Sequence, residues 1–280
     1  MENKSLDDVH KRLTERIKEY VSLIKKEYGA YMPRYVLQRL NNIDDYSHIL
    51  RIYDYDGVNA YANEENINMP LCADKTLKML SKIPGYGINK NHKPYSHENM
   101  VVNDNTFLTY ITHVFVSGTN TEEYFDDLLL HETMHFCGSD GASVLKEGIN
   151  ELLTRMLAQK YNFRTNSCGY PKEVKLAYTL MNCFGKDIIF KLAFIKGFEN
   201  EIHFLRENLG DAAANLYYQV CSIAQKEFNE KYYSHMHEYS GAIGIAKKVL
   251  FYRKIDYSNI YQMINNYSNS LINDNTTKHM

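Results

Sequence analysis

Residues 129–137 read LLHETMHFC, a stretch in which Glu132 is the one carboxylate and no lysine or arginine occurs. At 3.6 residues per turn a helix spreads these side chains around its whole axis, so a helix here has almost no face suited to water. It must be covered on every side, and the rest of the chain has to supply the cover. With 280 residues there is room for one large domain, or for two subdomains sharing a cleft. Asn120 and Glu123 offer a capping box that opens a helix over 121–137, and Gly138 ends it.

The same stretch carries HExxH at His131, Glu132 and His135. Residues four apart on a helix lie one turn above each other, about 40° round the axis. Two imidazoles so placed can close on one zinc ion at roughly 2.0–2.1 Å each. Glu132 sits about 100° from His131. That is too far round to join as a ligand, yet close enough to reach a water on the metal. Zinc lowers the pKa of such a water towards ~7, and the carboxylate can take its proton and pass it to a leaving amine. A bare HExxH is suggestive, and the uncharged positions 129, 130, 133, 134, 136 and 137 strengthen it. The plain alternative is a helix with two partly buried histidines and a surface glutamate.

A second helix is expected over 143–161, with Leu145, Ile149, Leu152, Leu153 and Met156 on its apolar stripe. Glu147 and Glu151 lie four apart on one face of it. HExxH followed by a helix bearing E-G-x-x-E resembles the gluzincin branch of the zincin metallopeptidases, over residues 128–155. The resemblance implies a zinc cofactor held by His131, His135 and Glu147, with Glu132 as the catalytic base and Glu151 orienting a ligand from behind. Gly148 would let the two helices approach closely. Eleven residues separate His135 from Glu147, fewer than gluzincins usually show, so the connection must be a tight turn. Glu147 and Glu151 can also be read as an ordinary polar face, with Glu151 paired to Arg155. The metzincin pattern, HExxHxxGxxH or HExxHxxGxxD, competes: HETMHFCGSDG matches at Gly138, but Gly141 stands at the ligand position and Asp140 comes one residue early.

Around this centre the periodicity predicts a helix over 5–28, a second starting near Pro33, a hairpin from 58–62 and 67–69, a short helix over 74–83, and a loop over 84–105. Residues 106–116, TFLTYITHVFV, are dense in β-branched and aromatic side chains and predict a strand. Beyond Pro171 the chain reads as helical, broken near Gly185, Gly197, Gly210 and Gly241. Helices, a small sheet and more helices predict an α+β, zincin-like fold: a small twisted sheet with the active-site helix over a helical lower part. The divisions expected are 1–55, 56–138 and 139–280. By the same resemblance, strand 106–116 would edge the cleft and pair with an extended peptide.

The 32 Lys and Arg against 34 Asp and Glu leave no basic face for nucleic acid. The five cysteines are scattered, fitting free thiols in a reducing compartment. The charged amino-terminus carries no secretory signal, and no run is apolar enough to span a membrane, so a cytoplasmic protein is expected, leaderless export remaining open. His235-Met-His237-Glu238 reads as a surface turn, since residues two apart do not share a helical face. For an oxyanion-stabilising group, which gluzincins take from the carboxy-terminal half, His203, Tyr217, His235, His237 and Tyr239 all qualify. The function expected is hydrolysis of peptide bonds in a peptide or protein substrate. Two rivals stand beside it: a dedicated regulatory or toxin-like zincin acting on one protein partner, and a helical interaction protein with a chance motif.

Overall fold

The computed structural model describes residues 6–53, 61–62, 64–65, 67–70, 121–138, 143–163, 170–232, 234 and 250–277. Helix α1 (Leu6–Tyr28) forms where Leu13, Ile17, Tyr20, Val21 and Ile24 recur at helical spacing, and all five are buried. A 3₁₀ turn at Gly29–Tyr31 follows, and Pro33 precedes α2 (Arg34–Asn41), whose Val36 and Leu40 reach the core. The strands are β1 (Leu50–Tyr53), β2 (Tyr61–Ala62) and β3 (Ile67–Pro70). Then come α3 (Thr121–Cys137), α4 (Val144–Lys160), α5 (Pro171–Phe184), α6 (Lys186–Phe194), α7 (Phe198–Leu209), α8 (Asp211–Lys231) and α9 (Ser258–Thr277).

The expected α+β arrangement is not what the described residues form; they are mostly helical. Their strands run only two to four residues each, in the order β1-β3-β2, with β1 parallel and β2 antiparallel to β3. Strands so short present too little apolar surface to cover the helices. The helices therefore bury their stripes against one another: α4 on α5, α7 on α8, and α1 along α3. The hairpin pairs Ala62 with Ile67 as the sequence suggests, whereas the parallel pairing of β1 had no local signal. The expected helix 74–83, loop 84–105, strand 106–116 and break at Gly241 lie outside the described residues. Gly185, Gly197 and Gly210 do interrupt the helices, each at a positive φ of 84–94° that side chains with a Cβ rarely adopt.

One hydrophobic cluster runs from Leu13 to Ile264 and encloses α3: Leu129, Leu130, Met134, Phe136 and Cys137 are at most 2% exposed. Arg39 ties the end of α3 in place. Arg39 donates from Nη2 to the Phe136 carbonyl (2.6 Å) and from Nη1 to that of Glu64 (2.6 Å), its guanidinium 5.0 Å from the Phe136 ring. A cation on the last carbonyls of a helix is favoured by the helix dipole. Tyr28 meanwhile donates to the Leu153 carbonyl (2.9 Å), tying α1 to α4. Among the described residues no helix is long and apolar enough to cross a membrane.

Candidate metal centre

Helices α3 and α4 bring the site together, and the reason lies at the start of α4. Ser143 caps it, its Oγ accepting from the Lys146 amide (3.3 Å), and the Val144 amide donates to Gln225 of α8 (2.8 Å). Lys146 then sinks its ammonium among the Leu192 carbonyl, the Ile195 carbonyl (3.0 Å) and Glu201 Oε1 (2.9 Å). Two residues on, Gly148 passes the backbone of α5 so closely that a Cβ there would lie 2.5 Å from the Glu173 carbonyl. Only glycine permits that approach. With its back fixed this way, α4 turns Glu147, Asn150 and Glu151 towards α3, at i, i+3 and i+4 on one face.

The facing atoms form a small triangle. His131 Nε2 and His135 Nε2 are 3.0 Å apart, Glu147 Oε2 lies 3.0 Å from His135 Nε2, and it lies 3.4 Å from His131 Nε2. A tetrahedral zinc with bonds of roughly 2.0–2.1 Å spaces its ligand atoms about 3.3 Å apart. These three atoms are therefore placed as one face of such a tetrahedron, and the group is close enough to hold a metal ion. Two imidazoles and one carboxylate suit a first-row transition metal better than magnesium or calcium, which prefer oxygen. His131 and His135 are buried, and Glu147 keeps 26% side-chain exposure, so it is the corner open to a ligand from outside.

Behind the triangle each imidazole has a partner. His131 Nδ1 donates to Glu151 Oε2 (2.8 Å), whose Oε1 accepts from Arg155 Nε (2.8 Å). His135 Nδ1 lies 2.6 Å from Asn150 Nδ2. Burial and charge oppose each other at these residues. Burial presses the His131 imidazolium towards neutrality, but Glu147 and Glu151 outweigh it and hold its pKa well above the usual value. Burial likewise works to raise the Glu147 carboxyl, and the facing His135 and His131 overcome it, holding the acid well below its range. Glu132 is buried, and that burial is the main reason its pKa is raised. Cys137, at the end of α3, is pushed up to about 12 by burial and packs as an inert core residue.

The other sequence candidates divide. His203 sits on the surface beside Glu207 (3.4 Å), and Tyr217 is buried as a donor to Glu201 (2.8 Å); neither is at the centre. His235, His237, Tyr239 and Asp140 lie outside the described residues. Tyr170 is the residue the sequence did not reveal. It stands before Pro171 in a left-handed conformation (φ 53°, ψ 45°), its ring stacked on His131 at 6.1 Å and 21°. The charge of Glu147, then burial, holds its phenol well above the usual pKa, so the hydroxyl keeps its proton. A left-handed tyrosine is uncommon, and such strain gathers at functional sites. No local pattern announces it.

The described residues thus define a compact His-His-Glu centre on two packed helices. No protein-family model matches the chain, and no curated protein or solved structure matches it either.

Proposed function

We propose that this chain is a zinc-dependent peptidase, gluzincin-like in its ligand set, with Glu132 as general base. The observation that carries the reading is the triangle of His131, His135 and Glu147 with a buried carboxylate, Glu132, adjoining it on α3. Zinc held there supplies Lewis acidity, acidifying a water and polarising the carbonyl it attacks. The protein groups do the rest. A Glu132 carboxylate oxygen takes the proton that the attacking water gives up. As oxygen bonds to the carbonyl carbon and the C–N bond breaks, Glu132 returns that proton to the leaving amine. Burial raises the pKa of Glu132 and brings it closer to neutral, which suits a group that must both accept and release a proton. Tyr170, its ring stacked on His131 and its phenolic proton kept, is assigned the hydrogen bond to the carbonyl oxygen as negative charge gathers there.

The test is cleavage of a mixed peptide panel by the zinc-loaded full chain and by Glu132→Gln. The variant should keep its zinc and its fold while losing at least ~10²-fold in rate. Loss of zinc, or near-normal turnover, would show the role is misassigned. Cleavage of a single panel member would point to a dedicated enzyme of narrow target.

A further inference from the structure

Asn150 lies fully buried in the middle of α4, yet its amide is only half used. Nδ2 reaches His135 Nδ1 at 2.6 Å, while Oδ1 has no hydrogen-bond partner among the described residues. A buried carbonyl oxygen without a donor costs roughly 1–3 kcal/mol, so natural proteins seldom leave one without a reason. The metal centre supplies the reason. For His135 to act as a ligand through Nε2, that nitrogen must present a lone pair. The single proton of the neutral ring then sits on Nδ1, which needs an acceptor and not a donor. The nearby amide provides one if it turns over about its last bond, exchanging Nδ2 for Oδ1.

Resting on the metal-centre reading, we infer that Asn150 is the positioning residue of His135: with the ion held, Oδ1 accepts the Nδ1 proton and aims Nε2 at the metal. His131 is served by the carboxylate of Glu151, so the two imidazoles are steadied by different chemistry, one charged and one neutral. The neutral partner fits the charge already present, because Glu132, Glu147 and Glu151 crowd the site and a further carboxylate would add to their repulsion in the metal-free protein. Helix α4 then carries the third ligand and both orienting groups on a single face, and its docking fixes all three at once.

The full chain, Asn150→Leu and Asn150→Asp are compared by chelator competition for zinc, by thermal melting without metal, and by nitrogen NMR of the zinc-loaded histidines. Asn150→Leu should lose about 10–100-fold in zinc affinity. Its metal-free melting should change little, because removing the unpaired oxygen offsets the cost of leaving His135 Nδ1 without its partner. Asn150→Asp, an acceptor of the same shape, should hold zinc at least as tightly as the natural residue. The loaded natural protein should carry the His135 proton on Nδ1. Equal zinc affinity in Asn150→Leu, or an unprotonated Nδ1 in the loaded protein, overturns the inference. If the natural protein takes up no zinc at all, the metal-centre reading fails and this inference with it. If it takes up zinc and Asn150→Leu matches it, only the role of Asn150 falls.

Discussion

Lys146 and Glu147 are neighbours in sequence and reach into two different buried polar clusters. The ammonium of Lys146 spends its donors on the Leu192 and Ile195 carbonyls and on Glu201, whose second oxygen accepts from Tyr217 (2.8 Å). Positive charge meets negative, and the cluster is closed. Glu147 enters a group where Glu132, Glu147 and Glu151 converge on two imidazoles, with Arg155 donating to Glu151 from behind. Two imidazole nitrogens and a carboxylate oxygen meet there at 3.0–3.4 Å. Burial alone therefore does not mark a site. A satisfied buried pair is architecture, whereas two imidazoles and a carboxylate converging on one point are close enough to hold an ion.

Cutting the closed cluster should give the largest effect. Lys146→Ala strands the Glu201 carboxylate in the core, and breaking a buried pair in this way costs about 3–5 kcal/mol. Urea unfolding of the full chain measures it, and a cost under about 1 kcal/mol would mean the cluster is not the anchor described. Neutralising the open cluster should act in the opposite direction and more weakly. Glu132 has its pKa raised in the folded state, so its contribution to stability is complete below the unfolded value and is lost as pH rises through the folded one. Glu132→Gln does not titrate. In metal-free protein the variant should equal the natural chain in acid and be the more stable of the two near neutral pH, read as a higher melting temperature there. A variant that is less stable at neutral pH would contradict the raised pKa.

The helices were legible because apolar side chains repeat along them: α1, α3 and α4 begin and end within a residue or two of where periodicity and caps put them. His131 and His135 were legible for the same reason, since one-turn spacing on a helix is a sequence property, whereas Glu147 followed only from the E-G-x-x-E resemblance. What stayed hidden depends on residues far along the chain. The parallel pairing of Leu50–Tyr53 with β3 has no local signal, and the sheet counted on for an α+β fold comes, among the described residues, to three short strands. Lys146 reads as a surface cation until its partners 46–55 residues away are placed around it. Asn150 shares the ligand face of α4 and was passed over because an amide carries no ligand signature. Tyr170 owes its place to α5, whose first turn is pinned by Tyr252 and Tyr257 donating to Glu173 (2.5 and 2.6 Å).

The central claim is that Glu147 completes a metal centre with His131 and His135, and zinc content tests it most directly. The purified natural chain, dialysed without chelator, should hold about one zinc per molecule. Glu147→Ala should lose it under mild chelation, while Asp140→Ala, measured beside it, should retain it. Less than a tenth of one zinc in the natural chain, with no recovery on adding the metal, would contradict the account. Zinc lost from Asp140→Ala but kept by Glu147→Ala would move the third ligand out of α4.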